Sequence, residues 1–219
     1  MDQEKEERNF GDLFRDCFQE LYGTADVLAF VIRGHLYCES ALTQLLEANF
    51  KNPNAIDVDR LQYRTKVELC VALGLIDPSL TPGLHKLGLL RNKFGHNLTY
   101  VATEVDQRDF VNTVKSSLGA PAKFYLSRGR KFPNGLRRCI LALWIPLQIH
   151  LAFLTGHSEE LLPAILDTII SMWGTTPGGA KERLKQALDE VLNLGTMSNE
   201  EAQSLRSDWE KSWAEINPV

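Results

Sequence analysis

Strand signals are nearly missing from this chain. Alternating β-branched runs do not appear, and apolar residues recur at spacings of three and four, the helical period. That pattern excludes a sheet-based architecture and predicts an all-α fold. Long apolar runs are missing too. No run of about 18 residues is free of charged and turn residues, so no membrane span is expected. The most apolar stretch, residues 139–155, is shorter, contains Pro146 and Gln148, and reads as a buried helix. The opening MDQEKEERNF carries charge where a secretory signal would carry an apolar core. Cys17, Cys38, Cys70 and Cys139 form no C-x-x-C pair and sit in apolar helical stretches, so buried reduced thiols and a cytoplasmic location are expected. A surplus of positive charge is also lacking: the net charge is -4 and the sequence pI about 5.8, which disfavours DNA binding by the whole surface. There is no glycine-rich phosphate loop, no G-x-S-x-G and no H-E-x-x-H. No Cys/His cluster supplies metal ligands, so neither a metal nor a cofactor is expected.

What is present is helical periodicity over most of the 219 residues, enough chain for one sizeable core. A first helix is predicted over 10–21, with Phe10, Leu13, Phe14, Cys17, Phe18 and Leu21 on one face and a break at Gly23. Thr24 is placed to cap a long second helix reaching about residue 50. KNPNAIDVD reads as a loop. A third helix is predicted over 60–73, ending at Gly74. A fourth follows Thr81 as N-cap, with Pro82 in the first helical position, and runs to His96. A fifth covers 106–118 and a sixth 136–155, kinked near Pro146. Three more are expected over 159–173, 180–194 and 198–216, the last opened by a capping box of Ser198 and Glu201. The division that follows is a helical bundle over 1–118, a basic loop over 119–135, and a helical extension of the same domain over 136–219.

The stretch RNKFGH, residues 91–96, ends the fourth predicted helix. On a helix, Arg91 and His96 stand about 140° apart, whereas Asn92 and His96 share a face. Asn92 is thus placed to position His96, and a loosening at Gly95 would let Arg91, Asn92 and His96 enter one cleft. An arginine offers phosphate a permanent bidentate donor. A histidine moves protons near neutrality. RNA brings its own nucleophile, the 2′-hydroxyl, so stabilising charge at phosphorus is the main task left to a protein. The same residues also suit a helix C-terminus, where a histidine meets the dipole and an arginine pairs with an acid. Both readings stand on the residues alone.

The stretch around this motif resembles the core of HEPN-superfamily helical domains, and more narrowly the mannitol operon repressor family. The residues that carry the likeness are K-x-x-L-x-x-A-L-G-L from Lys66 to Leu75, then Ile76, the spaced Leu80, Leu84, Leu87 and Leu90, and R-N-x-x-x-H at Arg91, Asn92 and His96. The likeness covers roughly residues 31–97. It implies an up-and-down helical bundle that dimerises. In active members the Arg and His of both subunits meet in one cleft and cut RNA without metal. Other members keep the fold as regulators or interaction modules, and the mannitol-repressor-like relatives stand nearer to these.

His35 and Glu39, four apart on the second helix, share a face; the HEPN resemblance implies that one of them supports the site by orienting Arg91 or His96, and the plainer alternative is a buried polar pair that satisfies itself. Between Lys123 and Arg138 there is no acidic residue. Lys123, Arg128, Arg130, Lys131, Arg137 and Arg138, interleaved with Phe124, Tyr125 and Phe132, suit single-stranded RNA, with cations for the backbone and rings for stacking. The alternative is a solvated loop anchored by its rings. Trp209 and Trp213 share a stripe on the last helix that fits core packing or a partner face. His85, His150 and His157 show no companions in the sequence. Two functions follow: a metal-independent HEPN-type endoribonuclease, as toxin or defence effector with an antitoxin, or a non-catalytic regulatory module. A homodimer is expected in either case. The acidic pI and the lack of a basic recognition helix argue against specific DNA reading.

Overall fold

The computed structural model describes residues 10–118 and 131–157, with Gln203 and Ser207 as isolated helical positions. The seventh and eighth predicted helices, Trp209 and Trp213, and the basic residues Lys123, Arg128 and Arg130 lie outside the described residues. Within residues 10–118 and 131–157 six helices are described: α1 (Phe10–Gly23), α2 (Val27–Asn49), α3 (Tyr63–Ala72), α4 (Thr81–His96), α5 (Glu104–Leu118) and α6 (Asn134–Thr155). Among the described residues there is no strand, and the fold is an all-α bundle. No described helix is long and apolar enough to cross a membrane.

Local chemistry sets the boundaries. Asp26, not Thr24, caps α2: its Oδ1 accepts from the Leu28 amide at 2.9 Å. Thr24 acts one step earlier, its Oγ1 accepting from the Asp26 amide. The loop after α2 holds two single 3-10 turns, at Pro53–Ala55 and Val58–Arg60, which delay the start of α3 to Tyr63. Beyond α3 the chain reverses at Gly74, whose φ of 71° is the left-handed conformation that favours glycine. Thr81 is the first residue of α4 rather than its cap. A capping box opens α5. The Thr103 amide donates to Asp106 Oδ2 at 2.9 Å while Thr103 Oγ1 accepts from the Asp106 amide. That box explains why α5 begins at Glu104, two residues before the position predicted.

One core gathers side chains from all six helices. Helix α2 lies at its centre, packed against α1, α3, α4 and α6. The sequence places α6 at the start of an extension, yet it runs through the middle of this core. Trp144 is fully buried, stacked on Phe14 at 5.1 Å and edge-on to Tyr37 at 5.8 Å. Close approach of α2 and α6 needs Gly34: a Cβ there would stand 2.5 Å from Ile140 Cγ2.

Arg137, expected to meet RNA, is instead a buried clasp at the N-terminal end of α6. Its Nε donates to the Leu21 carbonyl at 2.8 Å, its Nη2 to the Thr24 carbonyl at 2.6 Å and its Nη1 to Asn134 Oδ1 at 2.9 Å. The guanidinium also lies over the Phe30 ring, 4.5 Å from its centre. A guanidinium buried to 7% exposure and bonded through each of its three nitrogens to its own chain is not presented to a phosphate, so Arg137 leaves the set of RNA-contact residues. Arg138 is half-buried, with Nε and Nη1 enclosed and unbonded, and Lys131 is exposed.

Gly34→Ala is expected to cost about 1–3 kcal/mol in urea unfolding, the usual effect of overpacking. Gly23→Ala, where nothing stands within 4 Å, is expected to shift stability by less than about 0.5 kcal/mol.

Candidate functional site

A cleft of about 480 Å³ opens where α2, α3 and α4 meet. Its lining comes from His35 and Glu39 of α2, from Tyr63 and Arg64 of α3 with the preceding Gln62, and from His85, Gly88, Leu89, Arg91 and Asn92 of α4. The α4 residues recur at three, four and seven, so one helical face looks into the cleft. Gly88 keeps that face low: a Cβ there would stand 3.2 Å from the Tyr63 ring.

Beneath the lining lies a buried charge. Lys66 is 2% exposed, and its ammonium donates to Glu39 Oε1 at 3.2 Å. The other carboxylate oxygen of Glu39 is 3.7 Å from His35 Nδ1, too long for a hydrogen bond. The His35 ring packs on Tyr63 with centres 4.2 Å apart. Burial pushes the His35 pKa down; Glu39 opposes this, Arg91 and Lys66 add to it, and the result is about 4. His35 is therefore neutral at pH 7, and Glu39 has Lys66 as its ionic partner. Three polar atoms of cleft residues, His35 Nδ1, Tyr63 Oη and His85 Nε2, are enclosed without a hydrogen-bond partner. Leaving such an atom unpaired costs about 1–3 kcal/mol, so polar capacity is concentrated at this place in the fold.

The RNKFGH motif divides between two faces. Arg91 and Asn92 line the cleft, and Arg91 Nη1 donates to Asn92 Oδ1 at 3.2 Å. Among the described residues Arg91 pairs with no carboxylate. Lys93 turns away and binds Asp106 Oδ1 at 2.7 Å, tying α4 to the head of α5. Burial alone would raise the Asp106 pKa, but the bonds from Lys93 and Thr103 outweigh it and hold the carboxyl well below the usual carboxylate range. Phe94 is buried against Tyr100, edge to face at 4.8 Å. His96 is exposed at the last residue of α4 and does not line the cleft.

The expectation that Arg91, Asn92 and His96 enter one cleft is therefore corrected for the single chain. The helix does not loosen at Gly95; it continues to His96 and keeps the wide angle between Arg91 and His96. Asn92 holds Arg91 rather than His96. His35 and Glu39 line the same cleft as Arg91, but neither bonds to it or to His96: Glu39 is held by Lys66, and Arg91 by Asn92. Sequence reading missed His85, Tyr63 and Lys66. Their signals were present: His85 is seven residues, two turns, from Asn92. Lys66 sits inside the α3 stripe Tyr63, Lys66, Val67, Cys70, where an apolar residue is the norm. Among the described residues no three His, Cys, Asp or Glu side chains converge as a metal site would need. Comparison of the chain with protein-family models, curated proteins and solved structures gave no match.

The low pKa of His35 gives stability a pH dependence of definite sign. Above pH 6.5 His35 is neutral in both folded and unfolded chains; between pH 6.5 and about 4 only the unfolded chain takes up its proton. Thermal stability is expected to fall as pH drops through that window. His35→Gln is expected to flatten the fall. An equally steep fall in the variant would assign it to other groups.

Proposed function

We propose that the protein is a metal-independent endoribonuclease working as a homodimer. The observation that carries this reading is Arg91: a cation at the mouth of a nucleotide-sized cleft, braced by Asn92 and bound to no acid among the described residues. In the reaction, the 2′-hydroxyl oxygen attacks the adjacent phosphorus and the bond to the 5′ oxygen breaks. The products are a 2′,3′-cyclic phosphate and a 5′-hydroxyl. Arg91 neutralises the charge that builds on the phosphoryl oxygens. His96 moves the proton, as base toward the 2′-hydroxyl or as acid toward the leaving oxygen. The exposed His96 of one copy serves the Arg91 cleft of the other, which is the composite arrangement implied by the HEPN resemblance. Lys131, with Lys123, Arg128 and Arg130, supplies backbone contacts for the strand. An antitoxin would then be a protein that covers the cleft.

One observation favours the second reading, a non-catalytic regulatory module: His96 stands away from the cleft lining in the single chain. The two readings separate on one assay. Purified protein with a mixed RNA pool in EDTA is expected to yield new 2′,3′-cyclic phosphate ends. Arg91→Ala and His96→Ala are each expected to lower the rate by about 100-fold or more. Mixing the two inactive variants is expected to restore cleavage, because a mixed dimer rebuilds one intact Arg91–His96 pair. Intact RNA with folded wild-type protein, or variants as active as the wild type, would overturn the ribonuclease in favour of the module.

A further inference from the structure

Arg91 shares its cleft with a carboxylate, and that is a chemical problem for an anion site. Glu39 lines the same cleft. Both groups act electrostatically on His35, with opposite sign. A glutamate left to itself beside a free arginine captures it, and a captured guanidinium no longer takes up phosphate. The fold carries a competing cation. Lys66 reaches Glu39 Oε1 at 3.2 Å from beneath, out of solvent at 2% exposure, and among the described residues makes no other ion pair or side-chain hydrogen bond. The remaining cations and acids at the cleft are settled as well: Arg64 pairs with Glu68 at 2.8 Å, and His35 is neutral. Summed over the lining, Lys66 cancels Glu39, Glu68 cancels Arg64, and the charge of Arg91 remains.

We infer that Lys66 is a positioning residue that keeps Arg91 free: by holding the Glu39 carboxylate at the cleft floor, it leaves one uncompensated guanidinium at the mouth for a single phosphate group of a nucleic-acid strand. The inference rests on the proposed ribonuclease for the identity of the anion, and it assigns Lys66 a part that neither motif nor exposure suggests. Lys66 touches no substrate. Its removal is felt at Arg91, through Glu39.

The test uses the full chain and a fluorescent single-stranded oligodeoxynucleotide, which offers phosphates but no 2′-hydroxyl and is not cut. Arg91→Ala is expected to weaken binding about tenfold, the loss of one charge-assisted phosphate contact. Lys66→Met is expected to weaken it by a similar factor, because Glu39 turns to Arg91. Lys66→Met with Glu39→Gln is expected to recover most of that loss, which a purely structural lysine would not show. Glu39→Gln alone serves if Lys66→Met does not fold, and is expected to bind about as tightly as the wild type or up to about threefold tighter. The inference is overturned if the folded Lys66→Met protein binds normally, if the double variant stays as weak as the single, or if Glu39→Gln weakens binding. Cleavage assays on the same proteins keep the two ideas apart. Absent cleavage with Lys66-dependent binding sinks the ribonuclease and leaves the inference standing. Cleavage and binding untouched by Lys66→Met does the reverse.

Discussion

A buried ammonium ion is the constraint around which the site is arranged. Lys66 cannot remain charged at 2% exposure without a close counter-charge, and the nearest is Glu39 on the neighbouring helix. That demand fixes which face of α3 meets which face of α2. Once Glu39 is opposite Lys66, His35 lies one turn earlier on α2 and Tyr63 one turn earlier on α3, and their rings meet. Helix α4 closes the third side, its glycine at position 88 giving room to Tyr63. The cleft is thus a consequence of satisfying one charge in the interior.

The six residues of RNKFGH show how one short helical segment serves several ends. Phe94 faces the core, Lys93 reaches α5, Arg91 and Asn92 face the cleft, and His96 ends the helix in solvent. The structural members hold the others in place. The pair Lys93–Asp106 anchors the last turn of α4 to the capping box of α5, so the direction of Arg91 is set partly by a loop outside the motif. A charged pair half in solvent is a modest stabiliser, but here it joins bonds to the Thr103 amide and hydroxyl in a small network.

Much of the fold was legible because apolar spacing is a direct record of burial. The stripe Phe14, Cys17 and Leu21 is buried as read, and so are Leu84, Leu87 and Leu90. Helix starts were read less well, since caps compete: Asp26 and Thr24 both suit the role, and only the local backbone decides. The site was half legible. His35 and Glu39 share a face of α2 by helical periodicity, whereas the meeting of that face with Arg91 and Asn92 of α4 is set by packing between helices. His85 and Lys66 left only faint local marks, a place two turns from Asn92 and a lone cation in an apolar stripe, and the pairing of Lys66 with Glu39 on another helix leaves none. Arg137 misled for a related reason. In a run of cations, a buried arginine looks like its exposed neighbours, and two of its partners, the Leu21 and Thr24 carbonyls, are more than a hundred residues away.

That last distance has a consequence for the order in which the chain acquires structure. The corner between α1 and α2 is tied to the head of α6 by contacts 113 and 116 residues apart, and α2 finds its closest neighbour in α6. As the chain leaves the ribosome, α1 to α5 emerge with the Gly34 face of α2 uncovered and the Leu21 and Thr24 carbonyls unclasped. The cleft residues are all synthesised by then, but the helix that backs α2 is not. Contacts so distant in sequence carry a large loop-closure cost and make for slow folding. The helix that backs α2, and with it the packing behind the cleft, is therefore in place only after translation has passed residue 155.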